Sequence, residues 1–231
     1  MKANDVKNSR RTFIGTMAVT AGLSGLAGVV SPLMAHPASG VKPVNVNEAD
    51  EWFKQIKGKR RVVYDATQPH DILPFAWPRV FLLTNEATGT PEKDCSVVVV
   101  LRHDAIPYAM ESGLWEKYNL GEVFHAPDPH TGEPATRNPF WKPKPGDFQI
   151  PGFGEVAIGI DQLQESGVMF CVCDAALTVY SAALAEGMGK DAAALKKEWV
   201  AGLLPNIQVV PSGVWALGRA QEHNCAYIFA G

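Results

Sequence analysis

Charged residues and cysteines are both scarce in this sequence, and the charge pattern excludes several classes of protein. Only 19% of the 231 residues are charged, and the net charge at pH 7 is −3. Residues 1–40 have four basic residues and one acidic residue, so the other 191 residues carry a net charge of −6. An acidic body of this kind is not typical of a protein that binds nucleic acid or an anionic membrane. The hydrophobic content of 46% also excludes a disordered tail.

Familiar motifs of catalysis and cofactor binding are also missing. We find no serine nucleophile elbow, no Walker phosphate loop, no pair of metal ligands on one helix and no internal repeat. After residue 40, no segment approaches the length of a transmembrane helix. Residues 41–231 are therefore predicted to form a single globular domain.

The first 40 residues have the features of an export signal. Ser9-Arg10-Arg11-Thr12-Phe13-Ile14 precedes an uncharged stretch, 13–35, that is rich in alanine, glycine, valine and leucine. This pattern resembles a twin-arginine signal peptide, which predicts export to the periplasm and removal of residues 1–40. An uncleaved membrane anchor is the alternative, because the apolar stretch is long enough to cross a bilayer.

The body of the chain alternates short apolar runs with helical patterns, which is typical of a parallel α/β protein. Strands are predicted at 62–65, 95–101, 168–173, 207–210 and 226–229. Helices are predicted at 48–56 with Asn47 as N-cap, 73–87, 105–118, 155–165, 175–186, 191–201 and 214–222. The run 95–101 is apolar on both faces and therefore predicts a central strand. The fold class is α/β, with a five-stranded, mostly parallel sheet covered on both faces.

A proline-rich segment at about 121–154 interrupts this alternation. Its seven prolines exclude a regular helix or a central strand. Phe140 and Trp141, flanked by Arg137 and Lys142, resemble the aromatic anchors of protein interfaces. The segment is thus a candidate for docking a partner such as a periplasmic redox protein. The alternative is a hydrophobic clasp that pins the loop to its own domain.

The four cysteines gain importance in an oxidising compartment, where thiols are protected, paired or used. Cys171 and Cys173 lie two residues apart on one predicted strand, so their side chains share a face, a geometry that disfavours a disulfide. We expect Cys171 to be buried and Cys173 to lie at the rim of the sheet. Cys95 and Cys225 fall at strand starts and are expected in the core, or as a structural pair if their strands are neighbours.

The candidate site residues stand at the carboxyl ends of the predicted strands, where open parallel sheets bind their ligands. Cys173 ends a strand and begins a helix, so helix amides and a nearby imidazolium are expected to stabilise its thiolate. The alternative is that Cys173 has no chemical role and only fills space in the core as a small apolar residue. The predicted catalytic residues are Cys173 and His103, and the predicted substrate-binding residues are Asp104, Asp174, Ala175 and Ser212.

The histidines suggest a second kind of site. Four of them could join a cysteine in binding copper or zinc: His103, His125, His130 and His223. No pair of them has the compact spacing of a structural zinc site. We therefore predict neither a metal nor another cofactor, and a Cys/His metal-binding protein is one of the alternatives.

Three segments resemble one known family. Leu101-Arg102-His103-Asp104-Ala105, after a valine-rich strand, is similar to the strand-His-Gly-x-Ala segment of the DsrE/DsrF-like sulfur-relay proteins. The run 167–177 is similar to their Gly-Val strand, which ends in a cysteine before a helix. Residues 204–214 and 221–228 resemble their closing strand-helix-strand. The likeness covers roughly residues 60–110 and 155–230, with Asp104 in place of the usual glycine and the proline-rich segment as an insertion.

The resemblance implies a three-layer α/β/α sandwich that forms small homo-oligomers and a cysteine, here Cys173, that carries sulfur as a persulfide. The protein is then an exported sulfurtransferase or sulfur carrier. Its expected partners are sulfur donors and acceptors, either proteins or small sulfur compounds, but neither nucleic acid nor, after signal cleavage, a membrane. The alternatives are a non-catalytic periplasmic module that docks a redox partner and the metal-binding protein.

Overall fold

The computed structural model describes residues 44–231 of the chain. The predicted export signal at 1–40 lies outside the described residues. Within residues 44–231, no helix is both long enough and apolar enough to cross a membrane.

A five-stranded parallel sheet is the centre of the described structure, in the strand order β6-β5-β2-β1-β7. Two further short strands, β3 and β4, form a separate antiparallel hairpin. The strands are β1 (Arg60–Ala66), β2 (Cys95–Leu101), β3 (Gln149–Ile150), β4 (Gly154–Glu155), β5 (Met169–Cys173), β6 (Ile207–Val210) and β7 (Ala226–Phe229). The predicted class, an α/β sandwich with a five-stranded sheet, is confirmed, and the sheet is parallel throughout.

Helices cover both faces of the sheet. They are α1 (Val46–Phe53), α2 (Leu73–Ala87), α3 (Ser112–Tyr118), α4 (Leu120–Val123), α5 (Ile160–Glu165), α6 (Asp174–Met188), α7 (Ala192–Ala201) and α8 (Gly213–Glu222). On one face, α2 to α7 contribute to a large core cluster that includes Phe75, Leu177 and Trp199. On the other face, α1 and α8 contribute to a small core cluster that includes Phe53 and Ala216. These three layers are helices, sheet and helices.

Strand β2 shows why the sheet is covered on both faces. Val97, Val99 and Leu101 pack in the large core cluster, whereas Val98 and Val100 pack in the small one, and all five are buried. Because neighbouring side chains on a strand point to opposite faces, an unbroken apolar run needs a core on each side. β2 is the middle strand of the five, as predicted.

The order of the connections explains why α8 lies on the opposite face from α6 and α7. From β1 through β2 and β5 to β6, the chain steps in one direction across the sheet, with its crossover helices in the large core cluster. The chain then reverses, because β7 lies beyond β1. A right-handed crossover in the reverse direction places its helix on the other face, so α8 packs in the small core cluster.

The first helix begins two residues earlier than predicted. Its N-cap is Asn45 and not Asn47, because the Oδ1 atom of Asn45 accepts a hydrogen bond from the N–H of Glu48 at 3.3 Å. Two asparagines within three residues offer the same cap chemistry. With Asn45 as the N-cap, the helix ends at Phe53, which packs in the small core cluster.

Two other predicted helices are shorter or divided. The helix predicted at 155–165 is reduced to α5, since Glu155 pairs in the β3–β4 hairpin. The helix predicted at 105–118 is divided into a 3₁₀ segment, His103–Ala109, and α3, with Met110 bridging to Leu203 between them. In contrast, α2, β2, β6 and β7 occupy the predicted residues.

The proline-rich insertion packs against its own domain. Apart from the end of α4 and the β3–β4 hairpin, it has no regular helix or strand within its described length, as its prolines predict. Phe140 is fully buried, and its ring centroid lies 4.2 Å from that of Phe75 and 5.4 Å from that of Tyr108. Trp141 is partly buried against the same cluster. Phe140 therefore acts as the clasp, because it is buried within its own domain, and docking of a partner through the insertion stays a prediction.

Candidate functional site

The connections that leave β5 and β6 diverge to opposite faces of the sheet. β5 leads into α6 in the large core cluster, whereas its neighbour β6 leads into α8 in the small one. Adjacent strands with diverging connections leave a crevice outside their carboxyl ends, and open α/β sheets bind ligands there. Cys173 pairs with Val210 at this point. The predicted site thus lies at the edge of the sheet where a ligand site is expected.

Cys173 is the N-cap residue of α6. Its Sγ atom accepts a hydrogen bond from the backbone N–H of Ala176 at 3.3 Å. This N–H and the partial positive charge at the start of a 15-residue helix stabilise negative charge at the sulfur position. The residue is only 6% exposed, which corrects the prediction that it lies open at the rim. Such a position favours small reactants.

The four cysteines all lie in the described part of the chain and are unpaired. Cys171 packs in the small core cluster and Cys173 in the large one, so the prediction that they share a face is wrong. The difference arises because Cys173 already begins the turn into α6. Cys95 and Cys225 lie at the starts of β2 and β7, and β1 separates these strands, so the two residues form no pair.

Arg102 places a positive charge within electrostatic range of Cys173. Leu101 of β2 pairs with Val172 of β5, and the same register places Arg102 beside Cys173. The side-chain hydrogen bond with Asp65 raises the pKa of Arg102, and nearby negative charges, that of a Cys173 thiolate among them, raise it further. The guanidinium is therefore a permanent cation at the crevice.

Asp65 holds Arg102 in a fixed position. The buried carboxylate accepts hydrogen bonds from Nε and Nη2 of Arg102 at 2.7 and 2.9 Å. The hydroxyl of Tyr227 donates a third hydrogen bond to Asp65 at 2.8 Å. Gly213, the first residue of α8, leaves the space that Arg102 fills, since a Cβ atom there would lie 2.5 Å from the Cβ of Arg102. The side chain of Arg102 therefore packs directly against the backbone of the first residue of α8.

His103 contacts Asp104 and not Cys173. Its Nδ1 atom lies 3.2 Å from Oδ1 of Asp104, and its side chain is 62% exposed. Tyr180 of α6 donates a hydrogen bond to the same oxygen of Asp104. Within residues 44–231, no hydrogen bond joins His103 to Cys173, which corrects the expectation that the imidazole pairs with the thiolate. The positive neighbour of the sulfur is Arg102.

Asp174 and Ala175, predicted to bind substrate, are bonded to other residues of the protein. The Oδ1 atom of Asp174 lies 2.7 Å from Nζ of the buried Lys196, so this ion pair ties α6 to α7. The N–H of Ala175 donates to the carbonyl of Pro211 at 3.3 Å. The amide that faces the sulfur is therefore that of Ala176, one residue further along.

Ser212 lies on the opposite side of the crevice from Cys173. It is the N-cap of α8, and its Oγ atom accepts a hydrogen bond from the N–H of Trp215 at 3.2 Å. Both helices that border the crevice thus begin there with a side-chain cap. Their positive N-terminal ends converge on the region around the sulfur.

The described histidines do not assemble a metal site. His130 stacks on Phe148 with 5.6 Å between ring centroids, and His223 stacks on Phe53 with 6.4 Å. Nowhere in residues 44–231 do three or more His, Cys, Asp or Glu side chains lie in a position to hold a metal ion. The geometry therefore gives no support to the metal-binding alternative.

An open cavity of about 460 Å³ lies away from the predicted site. It is bordered by Trp52 of α1 and by Met169 and Ile207, the first residues of β5 and β6. These are the amino-terminal ends of the strands, whereas Cys173 stands at a carboxyl end. The cavity and the candidate site therefore lie at opposite edges of the sheet.

We expect iodoacetamide at about pH 7.5 to alkylate Cys173 before the other three cysteines, because the thiolate is the form that reacts and the N–H of Ala176 at the start of α6 stabilises negative charge on its Sγ. Burial raises the pKa of Cys171, and it raises the pKa of Cys225 to about 11. Burial and two neighbouring acidic residues raise the pKa of Cys95. Peptide mapping of a time course measures the order of modification. Earlier alkylation of Cys95, the most exposed of the four, would contradict this expectation.

Three residues that shape the site were not predicted from the sequence. Arg102 directly precedes His103, so its position after a buried strand was a usable signal. Tyr180 follows Cys173 by seven residues, which places both on one face of a helix after two turns. Tyr227 gives no such signal, because only the pairing of β7 with β1 brings it to Asp65.

These observations define a class of protein: a three-layer α/β/α sandwich with a capped thiol and a fixed arginine at the carboxyl edge of a parallel sheet. No protein-family model and no curated protein matches the chain. Among solved structures, the chain is similar to a protein of unknown function from Methanobacterium thermoautotrophicum. That comparison has 18% sequence identity and a TM-score of 0.34, and it covers 74% of this chain and 99% of the other. A likeness at this level carries no argument about function.

Proposed function

We propose that the protein takes up sulfane sulfur on Cys173 and carries it as a persulfide from a donor to an acceptor thiol. The observation that supports this most is the N-cap position of Cys173, with the Ala176 N–H donating to Sγ at 3.3 Å. A persulfide anion benefits from the same helix N-terminus as a thiolate does. Arg102 adds a full positive charge beside the sulfur.

Uptake is a nucleophilic displacement at sulfur. The Cys173 thiolate attacks the terminal sulfane sulfur of a polysulfide and forms a new S–S bond. The old S–S bond breaks, and its electron pair leaves on the shortened polysulfide. With thiosulfate as donor, the leaving group is sulfite. Sulfane sulfur passes from one sulfur nucleophile to another, so the step needs no separate oxidant.

The surroundings of Cys173 also bear on its partners. A residue that is only 6% exposed favours a small sulfur compound as donor over a donor protein. We place the reaction in the periplasm because of the twin-arginine signal predicted at 1–40. Membership of the DsrE-like family and assembly into small homo-oligomers stay predictions. For the latter, β7 is an edge strand that exposes Tyr227, Ile228 and Phe229.

Intact-mass measurement tests the proposal. After incubation of the reduced native protein with sodium polysulfide, we expect the wild type to gain the mass of at least one sulfur atom. Cys173→Ser is expected to gain none, because the nucleophile is absent. Cys95→Ser removes a partly exposed cysteine elsewhere and is expected to load like the wild type. The proposal fails if the wild type gains no sulfur or if Cys173→Ser gains as much.

A further inference from the structure

His103 is held in an unusual backbone conformation at the edge of the sheet. Its φ angle is 52°, in the left-handed region that residues other than glycine adopt infrequently. The flanking residues keep it there, because Arg102 donates its N–H to Ala66 at 3.0 Å and Asp104 donates its N–H to Thr67 at 2.9 Å. Residues in such conformations occur often at functional sites.

Three side chains form a cluster at this point, joined by one hydrogen bond and one close polar contact. Tyr180 donates its hydroxyl to Oδ1 of Asp104, and Nδ1 of His103 lies 3.2 Å from the same oxygen. The rings of His103 and Tyr180 meet edge to face at 5.8 Å, and Phe124 packs on Tyr180 at 5.0 Å. The carboxylate thus has one hydrogen-bond donor, Tyr180, and the imidazole of His103 as a close polar neighbour.

The cluster leaves one nitrogen of the imidazole open. Burial and the hydrogen bond to Asp104 raise the pKa of Tyr180, so its phenol stays protonated and keeps donating. A proton on Nδ1 of His103 is favoured by the carboxylate of Asp104, which makes Nε2 the basic nitrogen. Within residues 44–231, Nε2 has no hydrogen-bond partner, and the side chain is 62% exposed. The basic nitrogen is therefore available to a molecule arriving from solvent.

His103 and Cys173 lie at the carboxyl edge of the sheet, at the ends of the neighbouring strands β2 and β5. The register of β2 and β5 places Arg102 beside Cys173, so His103 lies one residue beyond this pair. Tyr180 stands two helical turns after Cys173 on α6. Both Cys173 and Tyr180 pack with the large core cluster, whereas Arg102 points toward Gly213 at the start of α8.

We propose that His103, oriented by Asp104 and Tyr180, takes the proton from the acceptor thiol when the persulfide on Cys173 is discharged. This inference rests on the proposed function of Cys173. In this step the imidazole of His103 acts on the incoming acceptor thiol. Asp104 and Tyr180 are positioning residues that orient the imidazole.

The step balances as a thiol–persulfide exchange. Nε2 of His103 removes the proton of the acceptor thiol, and the resulting thiolate attacks the outer sulfur of the Cys173 persulfide. One S–S bond forms on the acceptor, and the S–S bond to Sγ of Cys173 breaks with its electron pair moving to Sγ. The imidazolium then loses its proton to solvent or to this thiolate. Loading from polysulfide involves no thiol proton, so it does not need the imidazole.

Separate measurement of loading and discharge tests the inference. Protein loaded with sodium polysulfide is mixed with 2-mercaptoethanol, and loss of the added sulfur is followed by intact mass. We expect His103→Gln to load like the wild type and to discharge about 100-fold more slowly, the lower end of the usual contribution of a general base. Tyr180→Phe and Asp104→Asn are expected to load normally and to discharge about tenfold more slowly. Tyr118→Phe, which removes a hydroxyl bonded to Glu198, is the matched control and is expected to behave like the wild type.

Two readouts separate a proton-transfer role from a merely structural one. With small thiols of increasing acidity, up to 2,2,2-trifluoroethanethiol, the deficit of His103→Gln is expected to shrink, since an ionised acceptor needs no base. ¹⁵N spectra of the imidazole are expected to show that Tyr180→Phe shifts the tautomer of His103 away from Nδ1–H.

The outcomes distinguish this inference from the proposed function. If the wild type does not load, the function of Cys173 is wrong and the inference falls with it. If loading is normal but discharge of His103→Gln equals that of the wild type, the inference alone is overturned. A deficit that stays constant across the thiol series, or an unchanged tautomer in Tyr180→Phe, also overturns it.

Discussion

Replacement of Phe140 by alanine is expected to lower the free energy of unfolding by about 3–5 kcal/mol, the usual cost of truncating a buried phenylalanine. The ring is fully buried, with centroids 4.2 Å from Phe75, 5.4 Å from Tyr108 and 5.2 Å from Phe148. Its three neighbours come from α2, the 3₁₀ segment and the insertion, so no single movement refills the cavity. Denaturant unfolding of the purified domain measures the change.

Phe153→Ala is the matched control for this experiment. Phe153 lies in the same proline-rich insertion, beside β4, but is 77% exposed, so its truncation is expected to change stability by less than about 0.5 kcal/mol. If Phe140→Ala is no more destabilising than Phe153→Ala, the clasp interpretation is wrong. The insertion is then free to serve as a docking segment.

Asp65→Ala is expected to destabilise the protein by about 3 kcal/mol or more, because it removes one partner of a largely buried ion pair. The change leaves Arg102 without its counter-charge and the hydroxyl of Tyr227 without an acceptor. The side chain of Arg102 is 27% exposed, so water relieves part of the loss. The same unfolding measurement gives the value.

Tyr227→Phe provides the graded comparison for Asp65→Ala. It removes one of the three hydrogen bonds to the carboxylate and is expected to lower stability by about 1–2 kcal/mol. Asp65→Asn keeps the shape but loses the charge, and it is expected to lie between the two. Equal stability of Asp65→Ala and Tyr227→Phe would mean that the arginine does not depend on the carboxylate.

Elements whose sequence pattern is local were predicted at the right residues. The run Cys95–Leu101 is apolar on both faces, and Gly89 follows the predicted helix Leu73–Ala87 closely, so the boundaries depend on neighbouring residues alone. The predicted ends of helices were wrong where the local sequence is compatible with two different structures. Asn45 and Asn47 offer equivalent caps, and Glu155 suits either a helix or a hairpin.

The candidate site was predicted in position but not in its contacts. Cys173 stands at the carboxyl edge of the sheet because strand ends in a parallel sheet are ordered along the sequence. The contacts of His103 were not predicted: its imidazole lies against Asp104, which accepts a hydrogen bond from Tyr180, and the charge of Arg102 lies within electrostatic range of Cys173. Which side chains meet depends on strand order, and strand order is a property of the whole domain.

The sequence by itself determined the alternation of strands and helices, the parallel sheet and the placement of a cysteine where β5 turns into α6. These follow from hydrophobic periodicity and helix capping, which act over a few residues. Only the tertiary structure decided that β7 lies beside β1, that Asp65 thereby fixes Arg102, and that Phe140 closes the core instead of meeting a partner. Each of these depends on packing between residues far apart in the chain, and no local pattern encodes such a contact.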